Sequence, residues 1–427
     1  MPDNDSSLLI RNARLFDPAL GLDERGDVLI AGGVIERVGG EISGEITAID
    51  AGGRALFPAF CDPHVHFRTP GFTEKEDLNT GCRAALAGGF TSVIQMPNTK
   101  PAIDSPALVK DLTRAEPIEL WVMGAVTRGL NSEDLTDFDS LVDAGAVGLT
   151  DDGKPVGDKR FMRAALEFSK TRGIPIASHA EDKSIGMQGA VRAGTISEVL
   201  AVPGWEAARE WAMVERDIAL AQETGGKLHL CHLSSRKSVE LVREAKSRGL
   251  DVTAEVTPHH LALVAESVLE LGADAKMNPP LGELSDREAL IQGLADGTID
   301  CVATDHAPHT PKEKSLGLER APFGVIGLET SFPVCFSNLV LTGRISLARL
   351  IDAMSVKPRE IFGLRTGRVG LFEGSPADLV LVDLNREWTV DPQLFQSKGR
   401  NCPFRGMKLS GRIIWTMHKG RMNKFSE

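Results

Sequence analysis

The stretch Asp62-Pro63-His64-Val65-His66-Phe67-Arg68 decides the fold that we predict for this chain of 427 residues. It closes an apolar run that begins at residue 55, and this run predicts a buried strand over residues 56–66. Because side chains alternate along a strand, His64 and His66 point the same way. Two imidazoles on one strand face can supply half of the ligands of a metal site. The simpler alternative is that the two histidines are polar residues at a strand-to-loop corner with no ligand role. The rest of the chain decides between these interpretations.

Strand-like and helix-like segments alternate after this stretch. The strand-like segments number eight, and most are separated by helical patterns such as residues 161–171 and 238–247. This βαβ pattern predicts a parallel sheet. Eight such units favour a closed (β/α)8 TIM barrel, whose active site lies at the C-terminal ends of the strands. The predicted strands cover residues 56–66, 90–97, 118–126, 146–152, 174–181, 227–234, 251–259 and 300–308.

Both ends of the chain have a different character, with short strand-like runs between Gly and Asp residues. Turn residues at such intervals are typical of β-hairpins. We therefore expect an α/β protein in which a small β domain is built from both terminal segments. The expected division is residues 1–55 and 366–427 for the β domain and residues 56–365 for the barrel.

The composition excludes several classes of protein. The net charge is −11 with no long basic run, which argues against a nucleic acid partner but leaves a small anionic substrate open. No apolar stretch reaches the length of about 18 residues that a membrane span needs. The six Cys residues include no C-x-x-C pair, and the first six residues are polar and acidic, unlike a secretory signal. We therefore expect a cytoplasmic protein with buried thiols.

The histidines are concentrated at one end of the predicted barrel. Nine of the ten lie at or near the C-terminal ends of predicted strands, and only His418 lies elsewhere. Histidines with a purely structural role would have no reason to gather there. The nine are His64, His66, His179, His229, His232, His259, His260, His306 and His309.

Two further histidines join His64 and His66 as predicted metal ligands. His179 ends the fifth strand and His232 ends the sixth. Alternation puts His229 and His232 on opposite faces of the sixth strand, and His232 lies nearer its C-terminal end. We therefore predict His232 as the ligand and His229 as a packing residue or a residue that supports a ligand.

Carboxylates complete the predicted ligand set. Asp305 ends the eighth strand, where it is either the N-cap of the next segment or a ligand that faces the histidines. The fourth strand ends in Asp151-Asp152-Gly153, which is either a turn or a pair from which one carboxylate bridges two metal ions. Such a set suits two zinc ions with open positions for water. Two cations would lower the pKa of a water molecule bound between them. Asp305 would accept the proton of that water and pass it to a leaving nitrogen. The sequence therefore predicts a metal-assisted hydrolase.

Polar residues near the same strand ends are candidates for binding substrate. Arg68 would share a face with the two histidines of the first strand if that strand continued. Its guanidinium can bind a carboxylate, although a surface ion pair is the usual role of an arginine. Asn98 ends the second strand and either binds the same group or caps a turn. Asn278 and His309 are further candidates, and the charged segment 310–324 is either a mobile flap or a surface loop.

Eight motifs closely resemble those of the amidohydrolase superfamily and, within it, of its bacterial-type dihydroorotase branch. The resemblance runs from about residue 8 to the C-terminus, and the length and order of the motifs make it specific. The motifs are Asp62-Pro63-His64-Val65-His66-Phe67-Arg68-Thr69-Pro70-Gly71, Met96-Pro97-Asn98-Thr99, Thr150-Asp151-Asp152-Gly153, Ser178-His179-Ala180-Glu181-Asp182, His229-Leu230-Cys231-His232, Ala254-Glu255-Val256-Thr257-Pro258-His259-His260, Lys276-Met277-Asn278-Pro279-Pro280 and Ala303-Thr304-Asp305-His306-Ala307-Pro308-His309.

This resemblance implies a reaction and a set of residue roles. Members of the branch interconvert N-carbamoyl-L-aspartate and L-dihydroorotate in pyrimidine biosynthesis. The implied ligands are His64, His66 and Asp305 for one zinc ion and His179 and His232 for the other, with Asp152 as the bridge. Asp305 is also the implied catalytic acid and base. The residues implied to bind substrate are His66, Arg68, Asn98, Asn278, His309, Phe323 and Gly324.

The resemblance also implies partners and leaves alternatives open. Dimers are common in the branch, so a homodimer is expected, with an aspartate transcarbamoylase as a further candidate partner. Many members of the wider superfamily bridge their metals with a carboxylated lysine where this chain has Asp152, which weakens a hydantoinase, dihydropyrimidinase or allantoinase interpretation. Another cyclic amidase is the first alternative, and Arg68 argues against it. A non-catalytic scaffold of a transcarbamoylase is the second, and the complete ligand set argues against that one.

Overall fold

The computed structural model describes residues 7–44, 46–113, 117–364 and 369–425 of the chain. Its strands are β1 (Leu8–Asp17), β2 (Leu22–Ala31), β3 (Val34–Val38), β4 (Thr47–Asp50), β5 (Ala55–Pro58), β6 (Phe60–Val65), β7 (Phe90–Gln95), β8 (Glu119–Val122), β9 (Gly124–Ala125), β10 (Leu149–Thr150), β11 (Ile176–Ser178), β12 (Val191–Arg192), β13 (Gly204–Trp205), β14 (Leu228–Leu230), β15 (Val252–Val256), β16 (Cys301–Val302), β17 (Leu379–Thr389), β18 (Lys408–His418) and β19 (Arg421–Asn423).

The helices lie mainly between the strands β6 to β16 and after the last of them. The α-helices are α1 (Leu78–Ala87), α2 (Pro106–Leu112), α3 (Phe138–Asp143), α4 (Lys159–Arg172), α5 (Thr195–Leu200), α6 (Ala208–Thr224), α7 (Arg236–Ser247), α8 (Pro258–Ala262), α9 (Val268–Leu271), α10 (Leu284–Asp296), α11 (Pro311–Lys314), α12 (Ser331–Cys335), α13 (Leu347–Ile351) and α14 (Lys357–Ile361). The π-helical segments Phe336–Val340 and Asp352–Val356 continue α12 and α13.

Eight strands form the barrel that the sequence predicts. β6, β7 and β8 pair in parallel in that order, and β9, β10, β11, β14, β15 and β16 form a second run of parallel neighbours. β8 and β9 are one barrel strand that is interrupted at Met123. The ring closes where Val65 pairs with His306, and the His66 N–H donates to the His306 carbonyl oxygen at 2.9 Å. The predicted (β/α)8 barrel is confirmed.

The second large sheet joins both ends of the chain. Its strand order is β19-β18-β17-β5-β1-β2-β3, and β4 also pairs with β1. β5 connects the two ends, because it pairs antiparallel with β17 on one side and parallel with β1 on the other. The apolar core of this sheet includes Ile10, Leu56, Leu379 and Trp415. The prediction of a small β domain built from both terminal segments is confirmed.

The strand predicted over residues 56–66 is in fact two strands that belong to different sheets. β5 ends at Pro58 in the small domain, and β6 begins at Phe60 in the barrel. The chain crosses between the sheets at Ala59, whose N–H donates to the carbonyl oxygen of Asp378 at 3.0 Å. Both strands are buried on both faces, so the continuous apolar run carries no sign of the crossing.

The same crossing moves the first expected domain boundary. The chain enters the barrel at Ala59 rather than after residue 55, because β5 belongs to the sheet of the small domain. The second expected boundary, between residues 365 and 366, lies outside the described residues. So do residues 1–6, on which part of the expectation of a cytoplasmic protein rests.

The barrel strands end earlier than the sequence predicts. β10 ends at Thr150, β14 at Leu230 and β16 at Val302. His232 and Asp305 lie beyond their strands, with φ of +33° and +47°. A residue with this left-handed backbone has left the strand ladder. Alternation along the strand therefore does not set the direction of these two side chains, contrary to the argument from the sequence for His232.

One aromatic cluster ties the small domain to the barrel. The ring of Phe332 in α12 stacks on Phe60 of β6 with 5.4 Å between the centroids. The same ring lies 6.0 Å from Phe57 of β5. All three rings are fully buried, so the two sheets are held together by a shared apolar core.

The cysteines and the helices bear on the expected environment of the chain. All six cysteines are free and buried, as predicted. Burial raises the pKa of the Cys61 and Cys335 thiols to about 12, so these groups stay protonated at neutral pH. Within the part of the chain that the structure describes, no helix is long and apolar enough to cross a membrane.

Glu329 is a half-buried acid that links the barrel to the connection between β17 and β18. Its carboxylate accepts hydrogen bonds from the backbone N–H groups of Gln396 at 2.9 Å and Ser397 at 3.1 Å. Burial and, to a smaller extent, the charge of Glu76 raise the pKa of Glu329 to about 8, although these hydrogen bonds and Arg400 oppose the shift. Glu329 therefore stays protonated in the folded protein well above the pH at which a free glutamate ionises.

We expect Glu329→Gln to remove a pH dependence of folding stability. Between about pH 5 and about pH 8 the unfolded chain has released the Glu329 proton and the folded chain has kept it, so raising the pH favours the unfolded state. The free energy of unfolding of the wild type should therefore decline across this range relative to that of the variant. Urea unfolding at several pH values measures it, and a difference that stays constant with pH would contradict the expectation.

Candidate metal centre

Six polar side chains from five barrel strands converge at one end of the barrel. Two come from β6, and the others follow β10, β11, β14 and β16. Each is at most 7% exposed. Because the C-terminal ends of parallel barrel strands share one rim, side chains far apart in sequence meet there. The six are His64, His66, Asp152, His179, His232 and Asp305, which are all of the predicted metal ligands.

Asp152 lies at the centre of this group, with one oxygen directed to each of two histidine pairs. Its Oδ2 lies 3.2 Å from His64 Nε2 and 3.5 Å from His66 Nε2. Its Oδ1 lies 3.4 Å from His179 Nδ1 and 3.5 Å from His232 Nε2. Since each oxygen faces a different pair, the carboxylate has the geometry of a bridge between two cations.

Asp305 completes the first of the two pairs. Its Oδ1 lies 2.9 Å from His66 Nε2 and 3.7 Å from His64 Nε2. The ligand atoms of these three residues lie within 4.8 Å of one another, as do those of His64, Asp152 and His232. The centre therefore contains two overlapping groups, each compact enough to hold one ion.

Hydrogen bonds on the outer side of two rings determine which nitrogen faces the centre. His64 Nδ1 lies 2.7 Å from Glu255 Oε1, and His66 Nδ1 lies 2.8 Å from Asn98 Oδ1. Both oxygens are acceptors, so in the neutral ring Nδ1 carries the proton. The Nε2 lone pairs then point to Asp152 and Asp305. Metal-ligating histidines are usually held in this way by a second hydrogen bond.

The residues fit divalent metal ions. His64 Nε2 and Asp152 Oδ1 are buried and make no hydrogen bond to any described residue. Buried polar atoms are rarely left without a partner, so these two atoms need a group that the neighbouring side chains do not supply. Ligand atoms about 2.1 Å from one ion lie roughly 3 to 3.5 Å apart, which matches the spacing around Asp152. A set of imidazole nitrogens and carboxylate oxygens suits first-row divalent metals.

Imidazoles and carboxylates balance each other's charge in this centre. Burial alone would lower the pKa of His64, but Asp152 and Glu255 outweigh it and raise that pKa well above its ordinary value. Burial alone would raise the pKa of Asp305, but the hydrogen bond with His66 and the charge of His64 lower it below its ordinary value. Asp305 is therefore ionised at neutral pH, which is the state that a proton acceptor requires.

Glu255 supports the centre, a role that the sequence does not predict. It lies within β15 and is fully buried. Besides holding His64, its Oε1 accepts a hydrogen bond from the His232 backbone N–H at 3.2 Å, and its Oε2 lies 3.1 Å from His229 Nε2. His229 is thus linked through Glu255 to His64, one of the predicted ligands. A lone carboxylate inside an apolar strand is the signal that finds such a residue, because a buried charge needs a partner.

Arg68 reaches the site by a different route from the one that the sequence suggests. β6 ends at Val65 and Arg68 has φ of +60°, so alternation does not link Arg68 to His66. Its Nε donates to the carbonyl oxygen of Pro308 at 3.2 Å. Burial lowers the pKa of Arg68 to about 10, which leaves the guanidinium charged at neutral pH. No carboxylate among the described residues lies within ion-pair distance of it, so its charge is free to bind an anion.

His309 lies between Arg68 and the Phe323–Gly324 segment. Its Nε2 is 3.3 Å from Arg68 Nη2 and 2.8 Å from the Phe323 carbonyl oxygen. The shorter contact requires a proton on Nε2, so this nitrogen cannot also accept from Arg68. Burial and the charge of Arg68 lower the pKa of His309 to about 3, so the ring is neutral. Its Nδ1 is buried, has no hydrogen-bond partner among the described residues and lies 3.7 Å from Glu313 Oε2, so in the neutral ring it is an unused acceptor.

The two asparagine candidates offer opposite hydrogen-bonding groups. Asn98 uses its Oδ1 to hold His66, which leaves its Nδ2 as a donor. Asn278 Nδ2 donates to Glu181 Oε2 at 3.2 Å and also lies 3.2 Å from His179 Nε2. Its Oδ1 has no partner among the described residues and remains an acceptor. Glu181 sets this orientation of the amide, a role that the sequence does not predict.

The three remaining histidines of the barrel mouth, which have no predicted role, are all buried. His306 Nε2 lies 3.3 Å from Glu76 Oε2, and His260 Nε2 lies 2.9 Å from the carbonyl oxygen of Pro279. Burial lowers the pKa of His259 to about 4, so its ring is neutral. His306 and His260 thus stabilise the loops around the centre.

The segment 310–324 is attached to the barrel by Lys314. This residue closes α11, and its buried Nζ donates to the carbonyl oxygens of Gly324 at 3.0 Å, Pro322 at 3.2 Å and Lys276 at 3.4 Å. One ammonium group therefore joins the start of the segment to its end. Movement of this segment as a flap stays a prediction.

Comparisons of the sequence agree with the resemblance seen in the motifs. A family model described as "Amidohydrolase family" matches residues 55–422. A dihydroorotase of Caldanaerobacter subterraneus subsp. tengcongensis is 41% identical over 420 residues, which cover 97% of this chain and 96% of the relative. A dihydroorotase of Anaeromyxobacter sp. (strain K) is 44% identical over 423 residues, which cover 97% of each chain. One of Geobacter sp. (strain M21) is 43% identical over 422 residues, with 97% and 99% covered.

Comparisons of the structure find the same architecture in related enzymes. An L-hydantoinase (dihydropyrimidinase) from Arthrobacter aurescens matches with a TM-score of 0.85 and 27% identity, covering 98% of this chain and 96% of that chain. A dihydropyrimidinase from Brevibacillus agri matches with a TM-score of 0.84 and 24% identity, covering 97% and 94%. This second likeness concerns the fold alone.

Proposed function

The chain belongs to the amidohydrolase family, and from this membership we propose that it is a zinc-dependent dihydroorotase. The enzyme would interconvert L-dihydroorotate and N-carbamoyl-L-aspartate, a step of pyrimidine biosynthesis. One observation carries the proposal: a carboxylate lies between two histidine pairs, and a half-buried arginine without a counter-charge among the described residues lies beside them. Relatives named dihydroorotase, 41% to 44% identical over 97% of the chain, support it.

The proposed cofactor is a pair of zinc ions in each chain. When bound, the pair would polarise the ring carbonyl group and lower the pKa of a water molecule. Glu255 and Asn98 keep two of the histidines in the tautomer that ligates. The proposed ligands are His64, His66 and Asp305 for one ion and His179 and His232 for the other, with Asp152 as the bridge.

Asp305 is the proposed acid and base of the reaction. In ring opening, the oxygen of a water molecule bonds to the ring amide carbon, and the carbon–nitrogen bond breaks. Asp305 accepts a proton from that water and delivers it to the departing nitrogen, so the carboxylate is ionised again at the end. In ring closure, Asp305 takes the proton from the attacking ureido nitrogen and returns it to the departing hydroxyl group.

The polar groups around the centre match the groups of L-dihydroorotate. The ring carries one carboxylate, and Arg68 offers a free cation for it, with the Asn98 Nδ2 as a second donor. The ring also carries two N–H groups, for which Asn278 Oδ1 and His309 Nδ1 are unused acceptors. The Phe323–Gly324 backbone lies against His309 and completes the proposed substrate site.

Two rival functions make different demands on these residues. Hydantoin and dihydrouracil contain a cyclic amide without a carboxylate, so a hydantoinase would have no use for the charge of Arg68. The structural likeness to hydantoinases reflects a fold that both groups share. A non-catalytic scaffold of a transcarbamoylase would have no use for a complete set of six ligands around Asp152.

A substrate comparison tests the proposal. Zinc-supplemented protein is assayed for ring opening of L-dihydroorotate, hydantoin and dihydrouracil at equal concentrations, and the bound zinc is measured in the same sample. We expect turnover of L-dihydroorotate alone. Comparable turnover of hydantoin or dihydrouracil would assign the protein to another cyclic amidase. No turnover of any of the three by zinc-loaded protein would favour the scaffold.

Arg68→Ala should weaken substrate binding more than catalysis. Removing the only proposed cation for the ring carboxylate should raise KM for L-dihydroorotate by about 100-fold, while kcat changes little. The matched control is Arg320→Ala, which removes an exposed arginine from the segment 310–324. Steady-state kinetics of both variants measure the effect. A KM and kcat for Arg68→Ala equal to those of the wild type would contradict this substrate site.

The proposed setting is a cytoplasmic homodimer that acts alone or with an aspartate transcarbamoylase. The resemblance to the dihydroorotase branch supports the dimer and this partner, and six free buried thiols suit a reducing compartment. Sedimentation velocity of the protein alone, and mixed with the transcarbamoylase of the same organism, tests both. A monomer in the sample of the protein alone would contradict the dimer. A mixture in which the two proteins sediment separately would contradict the transcarbamoylase partner.

A further inference from the structure

The connection between β17 and β18, residues 390–407, leaves the small β domain and lies on the mouth of the barrel. We call it the strap. Ser397 Oγ donates to Glu76 Oε2 at 2.5 Å, and Lys398 Nζ donates to the carbonyl oxygen of Thr73 at 2.7 Å. Both partners belong to the loop that follows β6, which is the strand that supplies two of the metal ligands. The strap is thus attached to the rim of the candidate site.

Asn401 in the strap makes hydrogen bonds to both segments that are proposed to bind substrate. Its Oδ1 accepts from the backbone N–H of His309 at 3.2 Å. Its Nδ2 donates to the carbonyl oxygens of Ala307 at 3.1 Å and Gly324 at 3.0 Å. Its backbone carbonyl oxygen accepts from the N–H of Ile326 at 3.0 Å. One residue, 2% exposed, therefore joins the chain on both sides of the segment 310–324.

The two segments also contact each other, with little room to change their separation. The Ala307 N–H donates to the carbonyl oxygen of Val325 at 2.8 Å. A Cβ on Gly324 would lie 2.8 Å from Ala307 Cβ and 3.1 Å from His309 Nε2, so only glycine fits between them. Asn401 adds its three side-chain hydrogen bonds with His309, Ala307 and Gly324 to this direct contact. Without it, the direct contact would remain but the separation would be less well fixed.

We propose that Asn401 is a positioning residue for the substrate. It fixes the distance between His309 and the Phe323–Gly324 segment, and through that distance it sets the affinity for the L-dihydroorotate ring. The inference rests on the proposed function, because these segments are the ones proposed to bind the ring. Asn401 acts through His309 and Gly324, and it has no part in the transfer of the proton.

The chemistry of the amide explains why this position requires asparagine. An amide of this length accepts at one end and donates twice at the other. An aspartate would keep the acceptor for the His309 N–H but would place a carboxylate oxygen against the carbonyl oxygens of Ala307 and Gly324. An alanine would remove the side-chain partner of the His309 N–H and of the Ala307 carbonyl oxygen, and it would leave the Gly324 carbonyl oxygen with Lys314 Nζ alone. Both substitutions should therefore loosen the segments that hold the ring, while the six metal ligands stay in place.

Steady-state kinetics of Asn401→Ala and Asn401→Asp test the proposal. We expect KM for L-dihydroorotate to rise about tenfold in each, with kcat within about twofold of the wild type and an unchanged zinc content. The matched control is Lys398→Met, which loosens the same strap without touching either segment and should leave KM unchanged. An equal rise of KM in Lys398→Met, or a loss of kcat without a rise of KM in the Asn401 variants, would overturn the proposal.

Hydrogen exchange gives a second readout that does not depend on turnover. Peptides that contain residues 307–309 and 324–326 should exchange faster in Asn401→Ala than in the wild type, and peptides that contain β10 and β14 should not. Unchanged exchange at both segments would overturn the inference even in an active enzyme. A wild type that exchanges as expected but does not turn over L-dihydroorotate would overturn the proposed function and leave the structural role of Asn401 standing.

Discussion

Asp305→Asn should lower kcat for the ring opening of L-dihydroorotate by about 10³-fold. The substitution keeps the size of the side chain and one oxygen near His66, but the amide cannot accept a proton. In the wild type, the hydrogen bond with His66 and the charge of His64 lower the pKa of Asp305, so the carboxylate is ready to accept. The expected loss is therefore in kcat, and KM should change less.

Two measurements make the result for Asp305→Asn specific. The zinc content of the variant shows whether the change acts on proton transfer or on metal binding, because Asp305 is also a proposed ligand. The matched control is Asp300→Asn at the other end of the same barrel strand, where the carboxylate accepts from Lys246 Nζ at 2.7 Å. It should retain kcat. A fully active Asp305→Asn with its zinc bound would show that another group carries the proton.

Asp152→Asn should reduce the affinity for zinc by at least about 100-fold and abolish turnover. Among the described residues, Asp152 is the only one with a carboxylate between the two histidine pairs, and one of its oxygens lies within 3.5 Å of each pair. An amide has a single oxygen and no charge, so it cannot serve both pairs or offset two cations. Equilibrium dialysis of the chelated protein against buffered zinc measures the affinity without relying on activity.

The neighbouring carboxylate supplies the control for Asp152→Asn. Asp151 has the same burial, but its oxygens accept from Thr127, from the N–H at 2.9 Å and from Oγ1 at 2.5 Å. Asp151→Asn keeps an acceptor for Thr127 and should bind zinc as the wild type does. An equal loss of zinc in both variants would indicate that the affinity depends on the structure of the strand end and not on a carboxylate of Asp152 between the two ions.

The fold was predictable because its signals are local. Alternating strand and helix patterns, and hairpin-like runs at both ends, predict the barrel and the small domain without reference to contacts between distant residues. The crossing at Ala59 was not predictable, because residues on both sides of it are equally apolar. What separates them is the partner strand, β17 for one side and β7 for the other, and the sequence of this segment does not contain that information.

The candidate metal centre was predictable for a different reason. Parallel barrel strands end on one rim, so a histidine at each strand end implies that the histidines meet. The direction of single side chains was harder to predict, because His232, Asp305 and Arg68 have left-handed backbones that break the alternation. Their convergence depends on the backbone conformation of the loops. The sequence does not indicate a positive φ at these positions, because none of the three residues is a glycine.

The supporting residues were the least predictable. Glu255 and Asn401 matter through the partners they bind, and those partners lie 191 and 92 residues away in the chain. A lone glutamate in a buried strand at least signals that a partner exists. An asparagine in a polar connection gives no such signal, because turns are the usual place for asparagine.

The most direct test of the account is a zinc titration of turnover. Chelated protein receives increasing zinc, and the initial rate of L-dihydroorotate ring opening is measured at each addition. The account predicts no turnover without zinc, a rate that rises as zinc is added, and no further rise beyond two ions per chain, as the two histidine pairs around Asp152 require. Turnover by the metal-free protein, or none at any zinc concentration, would contradict it.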